Sequence, residues 1–245
     1  MDRSLGLTQH DDPVVCYAVA PEGTRRDTEL AAVRLDRLAS VRHQHILPII
    51  NVELEPSGTV FLTAPYTGNQ EGLVTLADLI AIKGGQMSPF EVARAASQLL
   101  EASSAAHEAG VFHGPIDPAS VLVDPHGSLF IELYGIRRFV AGLDCTSPSL
   151  ARDEVTSIAS IAYAMLTGAD AAEPRVRASR LVRRLDRAWD QWFDDALDPS
   201  AGFDSALDAI AALPGNASVE TRPARSSGVL TRLRRAVASD APRRG

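Results

Sequence analysis

Residues 111–138 read VFHGPIDPASVLVDPHGSLFIELYGIRR, and the parsing of this stretch decides the fold. Turn formers crowd residues 113–120, three apolar β-formers follow at 121–123, and Asp-Pro-His-Gly at 124–127 reverses the chain. A second strand, residues 128–133, then stops before Gly135. The pattern predicts a small hairpin entered through an elaborate loop. Loops held by rigid strands are where binding and catalysis concentrate, so the chemistry is sought here first.

At 245 residues with 45% hydrophobic content, the chain can bury one large core or two lobes that share an interface. No run approaches the roughly 18 uninterrupted apolar residues of a membrane span. The opening MDRSLGLTQHDDP lacks the apolar centre of a secretory signal. Cys16 and Cys145 are far apart and fit no metal-ligand spacing, which predicts reduced thiols in a cytoplasmic protein. The net charge of -7 argues against nucleic acid as a partner, because phosphate binding needs a basic face. That charge is uneven: residues 215–245 hold seven arginines against Glu220 and Asp240, a net +5, which leaves -12 for residues 1–214. Of the 24 basic residues only Lys83 is a lysine, a usage that suggests a GC-rich genome.

Outward from the hairpin, the front of the chain reads as strands. A weak strand is expected at 5–8, a better one at 14–19, a third at 46–54 and a fourth at 60–63. One helix interrupts them, from Thr28 as N-cap through Val41. After Tyr66 the character becomes helical, with helices expected at 76–83, 90–109, 153–167, 179–197 and 205–213. Ser88 and Pro89 mark the start of the second of these. A strand-rich front piece and a helix-rich back piece make a bilobal α+β plan.

The lettering of the whole now resembles the protein kinases of the bacterial Ser/Thr type. Residues 14–19, VVCYAV, are similar to the strand that carries the nucleotide lysine, and residues 28–42 to the C helix. HQHILPI at 43–49 stands where kinases often read H-P-N-I-V, and FLTAPY at 61–66 matches the last strand and hinge. Residues 75–114 resemble the two helices that lead into the catalytic loop, DEVTSIASIAYAMLTG resembles the central buried helix, and residues 192–213 resemble the closing helices. The resemblance implies a shortened N-lobe at 1–66, a helical C-lobe at 67–214 and an Arg-rich linker or tail at 215–245. The loop and strands of the opening stretch fall on H-R-D-x-x-x-x-N and D-F-G.

On that pattern the charged positions are replaced. Phosphoryl transfer depends on positioning and electrostatic stabilisation, so each lost charge removes something definite. Before residue 58 only Gly6 and Gly23 occur, too few for a glycine-rich phosphate cover. Tyr17, or Cys16 one residue out of register, takes the lysine position, and residues 1–82 contain no lysine at all. Arg34 falls where the helix glutamate is expected. His113 remains, but Gly114 and Pro115 replace the arginine and the catalytic aspartate, and Ser120 replaces the metal-binding asparagine. Leu133-Tyr134-Gly135 stands for D-F-G, and the A-P-E segment is met at most by Ser147-Pro148-Ser149. Hard cations need oxygen ligands, so neither cofactor nor metal is expected.

The retained His113 is expected to brace the loop by bonding a backbone carbonyl, and Gly135 to hold a backbone position closed to side chains. Asp117, Asp124 and Glu132 could rebuild a metal site. The plainer roles are an Asx-turn before Pro118 for Asp117, the hairpin turn for Asp124 and the solvent face of its strand for Glu132. Trp189, Trp192 and Phe193 are read as core, and His43 with His45 as turn residues without the companions of a metal site.

The resemblance therefore implies a pseudokinase, not an enzyme, acting as a regulatory or scaffolding module for unidentified protein partners. Two alternatives stand beside it. One is a divergent phosphotransferase with a rearranged active site. The other is an adaptor working through its tail, where Thr221 could be phosphorylated and residues 227–238 could form a basic amphipathic helix. Val229, Leu230, Leu233 and Val237 beside Arg232, Arg234 and Arg235 would give that helix weak, salt-sensitive contact with an anionic membrane.

Overall fold

The computed structural model describes residues 2–19, 25–69, 72–84, 86–172, 174–198 and 200–215. Apart from Gly215, the tail, its expected helix at 227–238 and Thr221 lie outside the described residues.

The front of the chain forms a four-stranded antiparallel sheet of β1 (Asp2–Leu7), β2 (Pro13–Val19), β3 (Asn51–Leu54) and β4 (Val60–Pro65), in the order β1-β2-β4-β3. The register sets Tyr17 of β2 opposite Arg3 of β1 and Leu62 of β4, and Val15 opposite Leu5 and Ala64. Because side chains alternate along a strand, these rows lie on one face. On that face Val15, Tyr17, Leu62 and Ala64 are buried. Helix α1 (Arg25–Ala39) adds Leu35 and Ala39 to the same core. It starts three residues before Thr28, so the expected cap lies inside the helix.

The strand expected at 46–54 is divided by Pro48, which has no N–H to give to a ladder. Beyond it, Ile50 N donates to Thr63 O at 2.8 Å and β3 pairs with β4. Before it, the backbone turns to the back of the molecule, where Leu47 N donates to Ile131 O at 3.0 Å and Ile131 N to His45 O at 2.9 Å.

The hairpin forms as its turn chemistry requires, from β6 (Val121–Val123) and β7 (Leu129–Ile131), and β5 (Val74–Thr75) adds an unexpected third strand. Around it stand α2 (Leu76–Lys83), α3 (Pro89–Glu108), α4 (Ile136–Val140), α5 (Leu150–Thr167), α6 (Ala178–Leu181), α7 (Ala188–Ala196) and α8 (Ala206–Ala212). Thr75 with Asp78 and Ser88 with Glu91 close reciprocal capping boxes at the starts of α2 and α3.

The single helix expected at 179–197 is two. Arg184 between them has φ +62°, and Asp190 of α7 accepts the Ser179 amide of α6 at 2.9 Å, which holds the corner. Ala95, Ala96, Ala102 and Ala106 of α3 meet Ile158, Ala159 and Ala162 of α5 in the main core, which Trp189, Trp192 and Phe193 complete. Trp192 Nε1 donates to Ala209 O at 2.9 Å, so its polar edge is satisfied inside. Leu122, Leu133 and Ile136 extend from the back lobe into the front core. Among the described residues no helix is long and apolar enough to cross a membrane.

Candidate functional site

Two buried carboxylates organise the region where the lobes meet. The first is Glu154 on α5, fully buried. Its Oε1 accepts the amides of His113 at 2.6 Å and Gly114 at 3.0 Å. Its Oε2 meets His107 Nε2 at 3.1 Å and accepts the Tyr134 hydroxyl. Gly114 has φ +74°, a backbone that glycine adopts readily, and this aims consecutive amides at one oxygen. Burial, reinforced by Glu154, raises the Tyr134 pKa well above the ordinary phenol range, so its hydroxyl stays a donor.

Glu154 is the residue that sequence reasoning missed. Asp153 and Glu154 are adjacent acids on an apolar helix, and only Glu154 lies in phase with Ile158, Ile161 and Met165 on the buried side. An acid at that phase was the available signal.

The second carboxylate is Glu132, also fully buried. It was expected on the solvent face of its strand. The strand does turn that face away from the back core, but β1 and β2 roof it over. Tyr17 Oη donates to Glu132 Oε1 at 2.6 Å and Arg3 to the same oxygen at 3.0 Å, while Arg137 of α4 donates to Oε2 at 2.5 Å. The backbone amide of Glu132 donates to Ser120 O at 2.9 Å. Burial first, then the neighbouring carboxylate, drives the Tyr17 phenol far above its usual pKa and keeps it protonated. Arg3 and Arg137 were not singled out by sequence, because nothing local marks them as partners of a residue on another element.

Below this junction the chain turns sharply. Leu133 has φ +53°, unusual for a residue with a branched side chain, and Gly135 has φ +68°. A Cβ on Gly135 would sit 2.7 Å from Val111 Cγ1, so the position is closed to larger residues. Leu133 is buried in the front core with Tyr17 and Ala64. All three side chains are thus buried in one apolar cluster. An open groove of about 320 Å³ is lined by Leu5, Gly6, Leu7, Pro13, Val14 and Tyr66.

The other positions named from sequence are dispersed. Arg34 is exposed on α1 and Pro115 is exposed in the loop. Ser120 Oγ donates to Asp117 O at 2.7 Å. Asp117 accepts the Ala119 amide at 2.9 Å, and Asp124 accepts those of His126 and Ser128, each at 2.8 Å. Among the described residues no three His, Cys, Asp or Glu side chains are grouped to hold a metal ion.

The His113 amide braces the loop on Glu154. Its ring, expected to bond a backbone carbonyl, is buried against the Gly114 and Pro115 backbone, which favours the charged imidazole, but neither ring nitrogen meets a partner at full hydrogen-bond geometry. The ring edge meets Tyr134 at 5.3 Å between centroids. Burial lowers the pKa of this imidazole and leaves it neutral.

Comparison with known proteins agrees with this architecture. The chain is 31% identical over 130 residues to the "Probable cell division protein kinase" of Encephalitozoon cuniculi, which covers 52% of this chain and 40% of that protein. It is 25% identical over 205 residues to CBL-interacting protein kinase 21 of Oryza sativa subsp. japonica, covering 69% of this chain and 37% of that protein. A carbon catabolite-derepressing protein kinase of Saccharomyces cerevisiae is 26% identical over 138 residues, covering 54% of this chain and 20% of that protein. The chain thus spans less than half the length of these curated relatives. No family model matches.

Sheet, α1, hairpin and helical back piece together make a reduced bilobal protein kinase-like fold. The expectation that the chain is not an enzyme is overturned by the same likenesses. These relatives are named protein kinases, which points toward an enzyme.

Proposed function

We propose that this chain is a kinase-fold module that acts by binding other proteins in a regulatory or scaffolding role, its inter-lobe space held by its own side chains. The observation that supports this reading is the set of contacts on Glu132. Tyr17 and Arg3 from the front sheet and Arg137 from the back lobe converge on one buried carboxylate, and Leu133 packs beneath. A bound Mg-triphosphate would need that volume and a cation facing its phosphates, whereas Arg3 and Arg137 are engaged by Glu132.

The division into 1–66, 67–214 and 215–245, the cytoplasmic setting and the bacterial Ser/Thr type belong to the same proposal. Thermal unfolding of the full chain tests it. With about 1 mM Mg-ATP the midpoint is expected to move by less than about 1 °C, since a ligand stabilises only by binding the folded state. A magnesium-dependent rise of several degrees would overturn the reading.

The names of the relatives favour a second reading, a phosphotransferase with a rearranged site that uses Asp117, Asp124 or Glu132. Metal-dependent transfer of a γ-phosphate by the full chain, lost on replacing those acids with alanine, would establish it.

A further inference from the structure

We propose that Glu132 is a built-in ligand occupying an oxyanion site made by Arg3, Arg137 and the Tyr17 hydroxyl, and that removing its carboxylate opens this site to a phosphate group. The inference rests on the reading of the inter-lobe space as filled by the chain's own groups. Three donors from three separate elements, β1, β2 and α4, point at the two oxygens of one carboxylate at 2.5–3.0 Å. Such convergence of guanidinium and hydroxyl donors is how proteins hold phosphate and carboxylate.

The charge balance is informative. Two guanidiniums face a single negative charge, so the cluster carries a surplus of one positive, which a phosphate dianion would neutralise. Asp78 lies within electrostatic reach of Arg3, but its carboxylate is committed to capping α2 through the Thr75 amide and hydroxyl. His113, which senses Arg137, is neutral. The donors are also reachable: the Arg3 and Arg137 side chains are 41% and 44% exposed while Glu132 is sealed. An anion can therefore approach the arginine heads from water and enter the space that Glu132 vacates.

The experiment compares full-length wild type, E132A and E132Q by thermal unfolding in inorganic phosphate and in sodium chloride of equal ionic strength. About 10 mM phosphate is expected to raise the midpoint of E132A by several degrees and that of wild type by less than about 1 °C. Adding R137M to E132A should remove the gain. Phosphoserine and metal-free ATP at the same concentration distinguish a free phosphate from one borne on an amino acid or a nucleotide, and a shift with any of the three supports the site.

E132Q keeps the side-chain volume and one acceptor, so it still fills the site and is the control expected to respond to phosphate no more than wild type. If E132A does not fold alone, phosphate-dependent recovery of its native circular dichroism spectrum is the readout. A folded E132A indifferent to all three probes, or refolding indifferent to phosphate, would overturn the proposal. Its failure is separable from that of the functional reading, which turns on the response of wild type to Mg-ATP.

Discussion

Glu154 and Glu132 are both sealed from water, both accept several hydrogen bonds, and are held in opposite ways. Glu154 is met by two backbone amides, an imidazole and a phenol, all within the back lobe. Glu132 is met by two arginines and a phenol that come from both lobes, with the arginine heads half in water. Dipoles fixed by the backbone cannot leave without unfolding the loop, whereas a guanidinium on a flexible stem can turn to solvent. Glu154 accordingly shapes a rigid loop, and Glu132 joins two bodies by contacts that can be exchanged.

The sharpest way to break this comparison is to remove each carboxylate or its donors in turn. E154A leaves the His113 and Gly114 amides and the Tyr134 hydroxyl without their acceptor. It should cost about 3–5 kcal/mol in urea unfolding, the range for stripping one partner from a buried charged network. A loss below about 1 kcal/mol would mean that the loop finds other acceptors. Y17F removes one donor to a charged acceptor while keeping the ring in the front core, and about 1.5–3 kcal/mol is expected. R3A should cost under about 1 kcal/mol because the Arg3 side chain is 41% exposed. If R3A proves as costly as E154A, the supposed difference between the carboxylates collapses.

The smallest effect concerns pH. Burial lowers the His113 pKa, so as pH falls through about 6.5 the unfolded imidazole takes up a proton that the folded one refuses. The unfolded state then binds more protons, and stability should decline below about pH 6.5 and be flat in this respect above it. His43, lowered by burial and by His45, acts in the same sense. H113F should reduce the slope without abolishing it, and an unchanged slope in urea titrations between pH 5 and pH 7, about the range where histidine titrates, would sink the assignment.

Local chemistry made much of this architecture readable in advance. Ser88-Pro89 and Gly84 mark real helix boundaries, and Asp124 with Gly127 turns the hairpin. What escaped depends on partners distant in sequence. Glu132, one residue past β7, looked solvent-facing because alternation continued from that strand cannot report that another sheet covers its outer side. Arg3 lies 129 residues away from it. The helix at 179–197 looked continuous because the corner at Arg184 is secured by Asp190 reaching back to Ser179, a tertiary contact no window reveals. The short α4 follows two positive-φ residues, one of them a leucine whose conformation its neighbours impose.

Pro48 has a mechanical consequence. By ending one ladder it frees the preceding backbone to bond with Ile131, so residues 45–47 are stitched into the rear hairpin while Ile50 onward belongs to the front sheet. The two halves therefore share covalent chain, amide bonds and apolar packing across a single seam. Melting one strips the other of its support, and calorimetry should record one cooperative endotherm in place of two.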